Sequence, residues 1–174
     1  NQKNSYQLLQ NPTRLRIIAS SSTDMNANEN SAPLVSYPCR GDFEVYVRVE
    51  STPNQAYQFA GIGVRSIESN NVWLRIGRQS NGPTTSLVTT GNNGLSPQLW
   101  DAVSYLKSVI HLKIGRNKNL ITLSYSDDKI NWRILERDYL APMSNEVEIF
   151  LISLSNSSNA GLAADFSDFA LSRK

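Results

Sequence analysis

The sequence predicts an all-β fold, a sandwich or barrel of short strands. Three observations carry this: several stretches alternate apolar and polar residues with a period of two, turn-forming residues separate them, and no stretch holds the period of an amphipathic helix. The clearest alternation is Phe43, Val45, Val47 and Val49 against Glu44, Tyr46, Arg48 and Glu50, opened by the turn pair Gly41-Asp42. Such a strand buries one face and wets the other.

Taken in order, Thr13 to Ala19 reads as an early strand, and the polar segment from Ser20 to Tyr37 as a long loop. Tyr57 to Arg65 reads as a strand with Ile62 and Val64 on its core face. Val72, Leu74 and Ile76 alternate with Trp73, Arg75 and Gly77, and Ile110, Leu112 and Ile114 with His111, Lys113 and Gly115. Leu120 to Ser126 and Ile130 to Leu135 flank Asp127-Asp128-Lys129 as a hairpin. Val147 to Leu154 is apolar on both faces and therefore central, and Leu162 to Leu171 makes a late strand. Asn70-Asn71, Asn81-Gly82-Pro83, Gly91-Asn92-Asn93-Gly94 and Asn117-Lys118-Asn119 supply further reversals. Leu99 to Leu106 holds one helical turn at most, and the strand count comes to about ten or eleven.

Composition narrows the function classes. A chain of 174 residues suits one domain, expected to span residues 1–174 and to be excised from a larger protein. The balance of 17 basic against 15 acidic side chains gives no long-range field for nucleic acid or an anionic membrane, so neither is an expected partner. A single cysteine, Cys39, excludes an internal disulfide and cysteine-rich zinc sites. No apolar run approaches the ~20 residues of a membrane span. An extracellular setting is mildly favoured, and no cofactor is expected.

Several segments together resemble a known group, the concanavalin A-like lectin/glucanase domains. Gly41-Asp42-Phe43-Glu44-Val45, Tyr57-Gln58-Phe59-Ala60-Gly61-Ile62-Gly63-Val64-Arg65 and Val72-Trp73-Leu74-Arg75-Ile76-Gly77 resemble their first, second and third core strands. Tyr125-Ser126-Asp127-Asp128-Lys129-Ile130-Asn131-Trp132 is similar to their Tyr-Ser-x-Asp-Gly-x-x-Trp hairpin, with Lys129 where glycine is usual. Within that superfamily the likeness is greatest to a domain family of unknown function and to the C-terminal accessory domains of β-xylosidases, and it covers about residues 42–171. It implies a two-sheet antiparallel jelly-roll sandwich of bacterial type. The fold hosts lectins, carbohydrate-binding modules, glycosidases and interaction domains, so function rests on the site.

In such sandwiches one sheet is concave and its outward side chains line a groove. If the aliphatic positions point inward, the opposite positions nominate a ligand-binding face of Tyr46, Arg48, Tyr57, Phe59, Trp73, Arg75, His111 and Lys113, with Gly61 and Gly63 leaving a hollow. Aromatic rings stack on pyranoses, and Arg48, Arg75, Lys113 and Arg65 favour an acidic or carboxylated glycan. The plainer reading has Tyr46 and Trp73 filling space under covering loops, with arginines lying over them. Trp100 and Trp132 read as packing residues, and His111, the sole histidine, as a structural residue.

Catalysis finds little support. Glu146 and Glu148 share a strand face, faintly like the Glu-x-Asp-x-x-Glu of laminarinase-type glycosidases, but Glu148 replaces the aspartate and Leu151 the third carboxylate. No nucleophile–histidine pairing, phosphate loop or HExxH is present. Asp165 and Asp168, with Asp24, Asn26 or Asn28, offer hard oxygen ligands for a calcium ion, though turn capping is the commoner role. The expectation is a non-catalytic module that binds a carbohydrate on the concave face and sits beside other domains of a parent protein. The alternatives are a protein-interaction or structural domain and, third, a glycosidase.

Overall fold

The structure, a computed structural model, describes residues 4–9, 13–25, 30–68, 72–82, 84–93, 97–98, 101–140 and 143–174. The turns read at 70–71, Pro83 and Gly94, the packing residue Trp100 and the candidate ligands Asn26 and Asn28 lie outside the described residues.

Fourteen strands are described, and no helix. They are β1 (Ser5–Leu8), β2 (Leu15–Ala19), β3 (Leu34–Arg40), β4 (Phe43–Ser51), β5 (Gln58–Ser66), β6 (Val72–Ser80), β7 (Thr85–Asn93), β8 (Pro97–Gln98), β9 (Ala102–Ser104), β10 (Val109–Asn117), β11 (Leu120–Ser126), β12 (Arg133–Leu140), β13 (Glu146–Ser155) and β14 (Leu162–Arg173). One sheet, here the front sheet, runs β1-β2-β14-β4-β10-β11-β12. The other, the back sheet, runs β3-β13-β5-β6-β7-β8, with β9 also on β7. Every strand pairing described is antiparallel. The molecule is an all-β two-sheet sandwich of the concanavalin A-like type.

Strand parity builds the core. Phe43, Val45, Val47 and Val49 of β4, and Ile110, Leu112 and Ile114 of β10, are all fully buried and point at the back sheet. Ile62 and Val64 of β5, Leu74 and Ile76 of β6, and Val147, Ile149 and Leu151 of β13 answer from the other side. Each such side chain contributes about 1.5–3 kcal/mol by leaving water, which makes a one-residue register slip prohibitive. The double-sided apolar β13 lies between β3 and β5, inside its sheet as expected.

Four local expectations change. The long loop ends at Pro33, because Leu34 to Arg40 forms the edge strand β3 against β13. Its residues are mostly exposed, since an edge strand buries few side chains, and that hid its period. Within Leu99 to Leu106 the described residues are extended: Ala102–Ser104 pairs with β7 as β9. Strand β7, rich in threonine and serine, went unread although it pairs with β6 over its whole length. The second arm of the β11–β12 hairpin starts at Arg133 rather than Ile130, leaving a longer connection that ends on Trp132.

Residues 20–25 and 30–33 lie against the outer face of the back sheet. Thr23 bridges Ser155 (N–H to carbonyl 2.8 Å), the Ser22 N–H donates to the Ser157 carbonyl (2.9 Å), and the Ser153 N–H donates to the Pro33 carbonyl (3.4 Å). Met25 and Ala32 cap a second apolar cluster there, of Phe59, Trp73, Val88, Phe150, Ile152 and Leu154. These stretches therefore add a third layer on the outer side of the back sheet.

Candidate functional site

The eight nominated residues do not form one surface. Tyr46, Arg48, His111 and Lys113 lie on the outer face of the front sheet, on β4 and β10. Phe59, Trp73 and Arg75 lie on the outer face of the back sheet, on β5 and β6. Tyr57 stands apart, exposed before β5 with a φ of 62°. Alternation gives inside or outside for each strand, but it carries no information about which sheet the strand joins. The two aromatic-basic sets therefore stand back to back with the core between them.

The back-sheet set is sealed. Phe59, Trp73 and Arg75 are 1%, 4% and 7% exposed. The Arg75 guanidinium lies 4.5 Å from the Phe59 ring centre and 4.8 Å from that of Trp73. It donates to Thr90 Oγ1 (2.8 Å) and the Met25 carbonyl (3.4 Å), and burial pulls its pKa down to about 10. The hollow expected over Gly61 and Gly63 is absent. The Phe150 ring fills the space over Gly63, where a Cβ would come within 2.2 Å of it, and Gly61 lies against the β6 backbone. These glycines exist so that rings and strands can pack closely.

The front-sheet face divides in two. In one half Arg14, Arg16 and Arg48 converge on Glu50 and Asp165. Arg16 Nε meets Asp165 Oδ1 at 2.6 Å, Arg14 reaches both carboxylates, and Arg48 meets Glu50 at 3.1 Å. The Arg16 hydrogen bond holds the Asp165 carboxyl below the usual range. Beside them Lys129 pairs with Asp168 (2.5 Å) and lies 5.6 Å over the Tyr46 ring. His111 is buried beneath, its Nδ1 without a partner among the described residues. Burial, with Lys129 and Arg48 nearby, lowers its pKa.

The other half is open. Ladder register sets Glu44 opposite Gly115 opposite Thr122, and Tyr46 opposite Lys113 opposite Ser124. A Cβ added at Gly115 would meet nothing within 4 Å. The missing side chain leaves a hollow of about 380 Å³, walled by Glu44, Lys113, Thr122, Ser124, Trp132 and Lys174. Trp132, expected to be a packing residue, belongs to neither apolar cluster. It is half-buried, with Lys113 Nζ 4.4 Å from its ring centre.

The connection after β11 places that ring. Asp128 accepts from the Asn131 N–H (2.8 Å), Asn131 Nδ2 (2.7 Å), the Ile130 N–H (2.8 Å) and Ser126 Oγ (2.9 Å), which holds its carboxyl far below the usual range. Lys129 takes a φ of 65°, the left-handed geometry that glycine usually supplies at this turn. Its carbonyl accepts from Trp132 Nε1 at 3.0 Å.

The weaker chemical readings meet occupied groups. Glu148 is held by Arg65 (Nε 2.6 Å), and Glu146 faces Arg40 at 3.8 Å. Asp165 and Asp168 are spent on arginine and lysine, and Asp24 accepts from Asn156 Nδ2 (2.9 Å), so these carboxylates do not gather around one ion. Sequence reasoning missed Gly115, Trp132, Glu44, Thr122, Ser124 and Lys174 as members of one site. A lone glycine within an aliphatic strand was the available signal.

Residues 7–174 match the model of a family described as a protein of unknown function, DUF1349. No curated protein matches the chain. Among solved structures it resembles a functionally unknown protein from Saccharomyces cerevisiae, at 20% identity and a TM-score of 0.84, over 98% of this chain and 96% of that one. It also resembles the GH43 protein BlXynB from Bacillus licheniformis (17% identity, TM-score 0.79) and a xylan β-1,4-xylosidase from Bacillus halodurans (15%, 0.78). These matches cover 96% and 97% of this chain, but only 34% of each of those proteins. Likeness at this identity shows a shared fold.

Proposed function

Because the chain belongs to the DUF1349 family, whose function is unknown, its role has to be argued from its surface, and we propose a non-catalytic glycan-binding module. Its site is the groove on the outer face of the front sheet. One observation carries the reading: a side-chain-free hollow beside a half-buried tryptophan, rimmed by hydroxyls, a carboxylate and ammonium groups. Sugars need that combination. The apolar face of a pyranose rests on an indole, while its hydroxyls exchange hydrogen bonds with Ser124, Thr122 and Glu44. Lys113, on a flexible stem over the ring, swings aside to admit the sugar and then donates to it. The xylosidase neighbours make xylan fragments the first ligands to try.

Calorimetric titration with xylo-oligosaccharides tests the reading. Trp132→Ala and Gly115→Leu are expected to abolish binding while leaving the melting temperature close to that of the parent. Binding that survives both substitutions would remove the groove from consideration. A second reading, an interaction domain, draws support from an apolar cleft of about 270 Å³ at the sandwich edge, where Val35, Tyr37 and Phe169 are all partly exposed. It predicts that no oligosaccharide binds in the same titrations.

A further inference from the structure

The charges around the groove are unevenly paired. Elsewhere on the front face Arg14, Arg16 and Arg48 each meet a carboxylate, and Arg65 on the back sheet has Glu148. Thus Arg48 and Arg65, expected to favour an acidic ligand, are already neutralised, and Arg75 is sealed away. At the groove the pattern breaks. Lys113 stands 3.8 Å from Glu44, at the outer limit of an ion pair. Arg116, next to Gly115, is 4% exposed and stands on the core-facing side of β10, opposite Phe43 and Ile121, so its guanidinium does not enter the groove. Three carbonyls hold it there: Lys118 (2.7 Å), Ser144 (2.8 Å) and Asn145 (3.4 Å). Carbonyls satisfy N–H groups but do not neutralise charge, and burial lowers the guanidinium's pKa accordingly. Lys174 lines the hollow with no carboxylate partner among the described residues. Two ammonium groups, Lys113 and Lys174, therefore face one hollow that holds one carboxylate.

We infer that the groove selects an acidic glycan, one whose sugar ring rests beside Trp132 and presents a carboxylate, as a uronic acid does, to Lys113 and Lys174. This rests on the glycan reading of the same groove. A neutral sugar leaves those charges uncompensated, whereas a carboxylate accepts charge-assisted hydrogen bonds from them inside a partly dry hollow. Glu44 opposes such a ligand and sets the limit of the preference.

The test compares three xylo-oligosaccharides of equal length with the full chain: unsubstituted, bearing one glucuronic acid, and bearing the same branch with its carboxyl reduced to the alcohol. The acidic form is expected to bind about tenfold tighter than either neutral one, the gain of roughly one charge-assisted hydrogen bond. That advantage shrinks as salt rises from low to physiological strength. Lys174→Gln removes most of the acidic form's advantage over the neutral forms, and Glu44→Gln enlarges it. Equal affinities for all three would overturn the acidic preference while the glycan reading stands. Binding of none would overturn both.

Discussion

The two outer faces of this sandwich are built from the same ingredients and end in opposite states. Each presents a tryptophan, a cation beside it, and at least one glycine within a strand. On the back sheet the Phe150 ring covers Gly63, Phe59 packs on Gly77, and Met25 and Ala32 close over Trp73 and Arg75. On the front sheet Gly115 has nothing above it, and Trp132 and Lys113 border open space. A glycine in a strand is therefore ambiguous alone. Its meaning depends on whether a neighbouring strand supplies a ring to lie over it, as β13 does for Gly63 with Phe150 and β4 and β11 do not for Gly115.

The comparison breaks or sharpens in three places. The largest difference lies between the tryptophans. Trp73→Ala empties a sealed cluster and is expected to cost about 3–5 kcal/mol in urea unfolding. Trp132→Ala leaves a groove already open to water, so its cost stays under about 1 kcal/mol. Similar costs would mean the two rings are equally structural.

The glycines come next. Gly63→Ala drives a methyl into the Phe150 ring and is expected to destabilise the fold by about 1–3 kcal/mol. Gly115→Ala meets no atom and is expected to leave thermal stability within about 0.5 kcal/mol of the parent. A Gly115→Ala variant that melts like Gly63→Ala would show that the hollow is closed in solution.

The smallest effect is one of pH. Burial lowers the pKa of His111 from its ordinary 6.5, so the unfolded chain takes up the proton first as the pH falls. His111 therefore costs stability as the pH drops through about 6.5, most of all below its lowered folded value. Replacing it with glutamine should flatten the stability profile between roughly pH 7 and 5. The carboxylates held low by arginine and lysine, Asp165 and Asp168, lose their contribution only at more acid pH. An unchanged profile in His111→Gln would show that the ring is solvated.

The fold was largely legible because β4, β6, β10 and β13 keep strict parity under a buried face. The concanavalin-like hairpin was legible too, and Lys129 adopts the glycine-like φ that its position requires. The site was only partly legible. Tyr46, Arg48, His111 and Lys113 were rightly placed on one outer face, yet Phe59, Trp73 and Arg75 belong to the opposite sheet. Sheet membership follows from long-range pairing, such as β4 with β10 and β5 with β13, which no local period encodes. The place of Trp132 beside the groove was not legible, because it follows from the Asp128 and Lys129 turn rather than from a strand face. The strap over the back sheet looked like an ordinary polar loop, since only Met25 and Ala32 of its described residues enter the apolar cluster.

The most direct measurement is an amide and indole NMR titration with the glucuronic-acid-bearing xylo-oligosaccharide. The account predicts shifts concentrated at Lys113, Gly115, Thr122 and the Trp132 indole, with Phe59, Trp73 and Arg75 unmoved. Shifts centred on Trp73 and Arg75, or none on either sheet, would contradict it.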